Sequence, residues 1–176
     1  MNQSSGTRDF DFYLHTWNVL NRRKKMDSLV DTPQGNKDSV WEEFPGIAGM
    51  GTKYLDGRTM IDHYESTFPN GQHVKGLNIR IFDDESNTWS LLWLDNRNPA
   101  DFTPLVGAFE KGVGTFYQVL TTPDGGPFCV RYITYSRTID TAHWEQAFSF
   151  DEGTIWETNW MMDFTRQSSL KQGDIL

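Results

Sequence analysis

The chain has 176 residues, a formal net charge of −8, seven tryptophans, twelve phenylalanines and one cysteine. This length fits one domain, and the acidic charge disfavours nucleic acid and anionic membrane surfaces as partners. No apolar run is long enough to span a bilayer, and the lone Cys129 excludes an internal disulfide. The polar N-terminus shows no secretory signal, so we expect a cytoplasmic protein.

The first residues precede any strand pattern. Residues 1–8 are polar, and their composition predicts disorder. Residues 9–14, DFDFYL, predict either one short helical turn that plugs the end of a barrel or an irregular lead-in, and the sequence does not choose between them. Farther along, residues 27–37 predict a polar loop, and residues 167–176 predict a flexible C-terminal tail.

About ten short strand patterns follow, separated by turn residues. Gly46, Gly49 and Gly51 predict bends within the second strand, and Asn70-Gly71 predicts a hairpin turn. No segment shows sustained helical periodicity. The predicted strands are, in chain order, Trp17–Met26, Val40–Tyr54, Arg58–Phe68, His73–Phe82, Thr88–Asn96, Phe102–Glu110, Val113–Leu120, Phe128–Tyr135, His143–Phe150 and Thr154–Arg166.

This arrangement predicts an all-β fold. Short strands with turn signals every 8–12 residues or so are typical of sandwiches and barrels. Sequential hairpins favour an up-and-down antiparallel order, and an open sheet of this size would leave long unpaired edges. We therefore predict a single antiparallel up-and-down β-barrel of about ten strands over residues 9–166, with a short N-terminal helical turn.

Six segments carry distinctive motifs. They are His15-Thr16-Trp17, WEEFPG at 41–46, WSLLWLDNRNP at 89–99, GVGTFY at 112–117, and WEQAFS at 144–149 followed by WETNWMMDFTR at 156–166. Together they resemble a family of lipocalin-like (calycin) bacterial proteins of unknown function, with His15 where the usual glycine is expected. The resemblance implies that Trp17 of the first strand packs against Arg166 of the last. It also implies a small hydrophobic ligand inside the barrel, which a few such proteins cyclise or rearrange without a cofactor.

Charged, polar and aromatic residues inside the strand patterns mark a candidate site. Carboxylates in an apolar cavity have raised pKa values and can act as general acids or bases, which makes Glu43 and Glu145 the candidate catalytic residues. The candidate ligand-binding residues are Trp41, Arg80, Trp93, Asp95, Arg131 and Asn159. An outward, solvated position stays equally open for any one of the charged residues. Residues 95–98, DNRN, predict either a turn whose polar side chains hydrogen-bond within the turn or a polar barrel mouth.

The last two predicted strands decide which face lines the cavity. The short turn between them places Glu145 roughly opposite Asn159, and Trp144 opposite Trp160. We expect the face with Glu145 and Asn159 to line the cavity. The alternative places Trp144, Trp156 and Trp160 inside.

Two functions stay open at this point. The first is binding of a small hydrophobic or aromatic metabolite, and the second is a cofactor-free isomerase, lyase or cyclase that uses Glu43 or Glu145. A third reading, an interaction domain, requires a filled barrel. The four histidines are dispersed without metal-ligand spacing, so we expect no metal and no cofactor. Monomer and homodimer both remain open.

Overall fold

Ten antiparallel strands form a closed barrel in the computed structural model, which describes residues 5–25, 40–122 and 125–167. Each strand pairs with its neighbours in sequence, and β1 pairs with β10 to close the barrel. The strands are β1 (Thr16–Lys24), β2 (Trp41–Tyr54), β3 (Thr59–Thr67), β4 (His73–Asp83), β5 (Thr88–Asp95), β6 (Leu105–Glu110), β7 (Val113–Thr121), β8 (Pro127–Thr138), β9 (Thr141–Ser149) and β10 (Glu157–Arg166). The predicted up-and-down, lipocalin-like barrel is confirmed.

The helical content of the described chain is limited to three short 3₁₀ helices, Ser5–Arg8, Asp11–Leu14 and Leu55–Gly57. None of the described helices is long and apolar enough to cross a membrane. The predictions for residues 1–4, for the 27–37 loop and for residues 168–176 lie outside the described residues.

The first two 3₁₀ helices, residues 5–14, form an N-terminal plug at one end of the barrel. The expected disorder of residues 1–8 is thus corrected for Ser5–Arg8, because Thr7 is buried and its carbonyl accepts a 2.8 Å hydrogen bond from Lys53 Nζ. The ring centroid of Phe10 lies 4.9 Å from those of Trp89 and Phe109. Of the two readings of residues 9–14, the plug is the one that the structure shows.

Strand alternation determines which side chains face the lumen. In β1, Trp17, Val19 and Asn21 are buried, whereas Asn18 and Leu20 are exposed on the outer surface. The same period of two runs through the other strands, so that the buried face of each strand contributes to one core. Aromatic side chains dominate that core and leave part of the lumen unfilled.

A bend in β2 matches the glycine pattern of the sequence. The register between β2 and β3 shifts between Gly49 and Thr52, which is the signature of a β-bulge. Gly49 has a φ of 102°, and a Cβ there would lie 1.9 Å from the carbonyl oxygen of His15. Only glycine fits this position, where β2 passes the start of β1.

The barrel closes where β1 meets β10. Trp17 pairs in register with Arg166, and the guanidinium carbon of Arg166 lies 5.4 Å from the centroid of the Trp17 ring. Trp17 is fully buried, and its Nε1 donates a 3.1 Å hydrogen bond to the carbonyl of Phe12 in the plug. One indole therefore connects the closing strands to the N-terminal plug.

Candidate functional site

The barrel lumen holds a cavity of about 240 Å³ that opens to solvent beside Asn98. We call it the lumen cavity. Trp144 and Trp160 meet edge to face in its wall, with ring centroids 5.7 Å apart. Its aromatic lining is formed by Tyr13, Tyr64, Trp93, Tyr132, Trp144, Trp160 and Phe164.

A larger depression, of about 410 Å³, lies on the outer surface of β2 to β5. Its walls include the outward-facing side chains of Ile47, His63, Lys75 and Leu77. We place the candidate site in the lumen cavity, because there aromatic and charged groups converge from both sides of the barrel, as ligand pockets require.

The wall of the lumen cavity is incomplete between β5 and β6. These strands pair only over Trp89–Leu91 and residues 105–107, so among the described residues, 92–95 have no partner on β6. A second cavity of about 250 Å³ lies against this gap and shares Trp93, Asp95 and Tyr132 with the lumen cavity. The two cavities therefore adjoin at the incomplete part of the wall.

Asp95 organises the mouth of the lumen cavity. Its carboxylate accepts hydrogen bonds from Trp93 Nε1 at 2.8 Å and from Arg97 Nη2 at 2.6 Å, and the Arg97 backbone N–H donates a third at 2.8 Å. Burial acts to raise the pKa of Asp95, but the hydrogen bonds from Arg97 and Trp93 outweigh it and lower that pKa to about 2. Residues 95–98 therefore form a turn whose polar groups hydrogen-bond within the turn, and the same turn forms the mouth of the lumen cavity. Both interpretations of this stretch thus apply.

Because the pKa of Asp95 is depressed in the folded state, its contribution to stability has a defined pH window. An unfolded aspartate titrates near pH 3.9, so the stabilisation is present above about pH 4 and is lost as pH falls towards 2. We expect Asp95→Asn to be less stable than the wild type at pH 7 and to lose less stability between pH 4 and pH 2. Urea unfolding at several pH values measures this, with the exposed Glu110→Gln as control. An equal loss of unfolding free energy between pH 4 and pH 2 in Asp95→Asn and in the wild type would contradict the assignment.

Two further arginine contacts lie at the mouth. The guanidinium carbon of Arg23 lies 4.7 Å from the Trp160 ring centroid and 5.1 Å from that of Phe68. Arg97 lies 5.1 Å from the same Phe68 centroid, so both guanidinium groups pack on one aromatic ring. Burial lowers the pKa of Arg23, and the positive charge of Arg97 lowers it further, whereas Tyr64 and Glu42, the cross-strand neighbour of Arg23 on β2, act to raise it. Neither arginine was among the predicted site residues, although Arg97 lies in the 95–98 stretch that was predicted to form a turn or the barrel mouth.

An ion pair lies deeper in the cavity. The side chains of Asp62 on β3 and Arg80 on β4 are both buried and in contact, and Asn78 Nδ2 donates a 3.0 Å hydrogen bond to Asp62 Oδ1. The guanidinium carbon of Arg80 lies 4.7 Å from the ring centroids of both Phe10 and Tyr13. Burial lowers the pKa of Arg80 to about 10, so the guanidinium stays charged at neutral pH.

Two residues expected in the site lie outside the lumen. Glu43 is on the outer surface, 61% exposed at its side chain, and accepts a 3.0 Å hydrogen bond from Arg22. Trp41 is also exposed, with the Lys24 ammonium 5.6 Å from its ring centroid. Their places in the lumen are corrected: on β2 the residues with side chains directed inward are Phe44 and Ala48, on the alternate face from Glu43.

Glu145 and Arg131 also face outward. Glu145 lies 3.7 Å from His143 Nε2 and 4.0 Å from Arg131, and Arg131 packs over the Trp156 ring at 4.6 Å. These contacts form a charged cluster on the outer surface of β8 to β10. The expectation that Glu145 lines the cavity as an acid or base is therefore corrected.

A bulge in β10 also removes Asn159 from its expected place opposite Glu145. The register shifts between Thr158 and Trp160, so that Trp160 pairs with Gln146 and Glu145 pairs with Met161. Asn159 is fully buried at the bulge, where its Oδ1 accepts a 3.0 Å hydrogen bond from Gln146 Nε2. Gln146 lines the lumen cavity, so Asn159 holds a lining residue in position.

The Trp144 and Trp160 face is thus the cavity wall. Trp156 is not part of it, since that ring lies 5.8 Å from the outward Tyr117 ring. Of the ligand-binding residues expected from the sequence, the structure brings Arg80, Trp93 and Asp95 together in the lumen cavity. Within the described residues, no group of three or more His, Cys, Asp or Glu side chains could hold a metal ion.

The fold and the cavity define this chain as a lipocalin-like barrel. Among solved structures, it is similar to the S-type phycobiliprotein lyase CPES from Guillardia theta, with a TM-score of 0.58 and 12% sequence identity. The match covers 96% of this chain and 99% of the lyase. At this identity the likeness concerns the fold alone. No protein-family model matches the sequence, and no curated protein matches it.

Proposed function

We propose that the protein binds a small, flat, hydrophobic or aromatic molecule in the lumen cavity. The observation that carries this proposal is the convergence of three indoles, Trp93, Trp144 and Trp160, on one open space of about 240 Å³. Large aromatic walls with a few fixed polar groups suit a flat apolar ligand. The space also disfavours the alternative of an interaction domain with a filled barrel.

The name of the structurally similar phycobiliprotein lyase supports a bilin-type molecule as one member of this ligand class. Such an elongated ligand would need the second cavity at the gap between β5 and β6, which adjoins the lumen cavity through Trp93 and Tyr132. The gap therefore supports a ligand that is longer than the lumen cavity.

Binding is favoured over acid–base catalysis by the groups that line the lumen cavity. Efficient general acids and bases have pKa values near the working pH. Asp95 is held ionised with a pKa of about 2, and burial raises the pKa of both Tyr64 and Tyr132 to about 12. Asp62 is committed to its ion pair with Arg80. Asp95, Tyr64 and Tyr132 therefore keep one protonation state at neutral pH and act as fixed polar contacts.

The experiment is a titration with N-phenyl-1-naphthylamine, a neutral probe with a phenyl and a naphthyl group whose fluorescence rises in apolar sites. We expect saturable binding, weakened about tenfold by Trp144→Ala, because the substitution removes more than the 1.4 kcal/mol of apolar contact that a tenfold change represents. Trp156→Ala removes an outer tryptophan and should leave the affinity within twofold. Circular dichroism checks that both variants fold. Equal losses in the two variants, or no saturable binding by the wild type, would refute a lumen site.

A further inference from the structure

We infer that the ligand carries a carbonyl oxygen, which accepts hydrogen bonds from Trp144 Nε1 and from the Tyr132 hydroxyl inside the lumen cavity. This inference rests on the proposed binding function and specifies the chemical class of the ligand, a flat aromatic carbonyl compound such as a ketone, lactone or lactam. It comes from the hydrogen-bonding groups of the wall, which are independent of the apolar fit.

Three indoles line the lumen cavity, and two of them already donate to the protein. Trp93 Nε1 donates to Asp95 at 2.8 Å. Trp160 Nε1 donates to Asn21 Oδ1 at 3.1 Å. Trp144 Nε1 has no acceptor within the part of the chain that the structure describes. An indole nitrogen can only donate, so Trp144 carries an N–H that is available to a ligand.

The three tyrosines of the lining divide in the same way. The Tyr13 hydroxyl shares a 3.1 Å hydrogen bond with Thr134 Oγ1. The Tyr64 hydroxyl donates to Asn21 Oδ1 at 2.8 Å. The Tyr132 hydroxyl has no hydrogen-bond partner among the described residues. Burial raises the pKa of Tyr132 to about 12, so its O–H is present as a donor at neutral pH.

The two unused donors belong to neighbouring side chains. The ring centroids of Tyr132 on β8 and Trp144 on β9 lie 4.8 Å apart. Together with Phe10 of the N-terminal plug, both side chains also line a recess of about 20 Å³. A space of about 10–15 Å³ already holds one water-sized group, and a carbonyl oxygen has lone pairs for two donors. A carbonyl oxygen at this recess would therefore satisfy both groups.

An uncharged acceptor suits this position better than an anion. Arg80 also lines the recess, but its guanidinium is already paired with the buried Asp62. Burying a further charge without its own counter-ion costs much more than burying a hydrogen-bonded carbonyl. Buried donors in native proteins are usually paired, so the unused N–H and O–H mark the place where a ligand completes the pairing.

Two molecules with one ring skeleton test the inference, fluorene and its ketone 9-fluorenone, each measured by displacement of bound N-phenyl-1-naphthylamine. Tyr132→Phe removes one hydroxyl and should weaken 9-fluorenone about fivefold, because a net hydrogen bond contributes about 1 kcal/mol. The affinity for fluorene should change less than twofold. Tyr117→Phe is the matched control, since it removes an exposed hydroxyl from the outer surface of β7 and should leave both affinities within twofold.

Urea unfolding without ligand separates this role from a structural one. Tyr132→Phe should leave the urea midpoint unchanged or higher, because the hydroxyl loses no partner among the described residues. Tyr64→Phe should lower the midpoint, because it removes the hydrogen bond to Asn21. A midpoint lowered as much by Tyr132→Phe as by Tyr64→Phe would show that the Tyr132 hydroxyl serves the fold, and would overturn the inference.

The displacement experiment also distinguishes failure of the inference from failure of the proposed function. If N-phenyl-1-naphthylamine binds but 9-fluorenone does not displace it, the carbonyl site is wrong and the binding function stands. The same conclusion follows if Tyr132→Phe changes the affinities for 9-fluorenone and fluorene alike. If N-phenyl-1-naphthylamine does not bind the wild type, the proposed function fails together with the inference.

Discussion

Trp17→Ala is expected to lower the free energy of unfolding by about 3–5 kcal/mol, as deletions of buried large aromatics do. Trp17 is fully buried where β1 meets β10, with its ring centroid 6.4 Å from that of Phe164 and its Nε1 bonded to the carbonyl of Phe12. The substitution leaves a cavity at the barrel seam and releases the N-terminal plug. Urea unfolding followed by circular dichroism measures the loss.

The contact between Trp17 and Arg166 is tested separately by a double-mutant cycle. Arg166→Ala should cost less than Trp17→Ala, because Arg166 is partly solvent-exposed and contributes by packing on the ring. The two losses should not add, since each substitution removes the same contact. Additive losses would show that the two side chains do not stabilise each other where β1 meets β10.

The barrel was predictable because it depends on local signals. Turn residues such as Asn70-Gly71 delimit the strands, and closure follows from the cost of long unpaired edges. The second-strand glycines likewise predicted the bulge that the structure shows at Gly49. Each of these signals is carried by a few neighbouring residues, so it can be recognised in a single sequence.

The cavity wall was not predictable, because it depends on register. A shift of one residue moves every side chain of a strand to the other face. The bulge between Thr158 and Trp160 has no glycine or proline to mark it, and it puts Trp156 outside and Trp160 inside although simple alternation places both on one face. Alternation alone therefore identified two candidate faces without choosing the correct one.

Arg23 at the mouth was missed for a related reason, whereas Arg97 lies in the 95–98 stretch that was predicted to form a turn or the barrel mouth. Arg23 lies in the basic segment NRRKK at 21–25, which in sequence resembles a solvated strand end. Alternation sends Arg22 outward to Glu43 and Arg23 inward to Trp160, although the two are neighbours of identical type. Asp62 on β3 was detectable, since it alternates in phase with the apolar Met60 and Tyr64.

The deep ion pair provides the second large effect. Arg80→Met should lower the free energy of unfolding by about 3–5 kcal/mol, because it leaves the buried Asp62 carboxylate without its cation. Arg58→Met, which breaks an exposed pair with Asp84, is the matched control and should cost about 1 kcal/mol or less. Urea unfolding at pH 7 compares them.

Combining Asp62→Leu with Arg80→Met then separates the charge from the packing. Replacing a buried ion pair by apolar side chains of similar size is often neutral or stabilising, so the double variant should recover most of the stability lost in Arg80→Met. If it stays as unstable as the single variant, packing of Arg80 on Phe10 and Tyr13 is the main contribution. The double variant could instead recover its stability and bind N-phenyl-1-naphthylamine more weakly. That result would place the Asp62–Arg80 pair among the polar contacts that orient the ligand. The pair would then lower the stability of the empty barrel in return for binding.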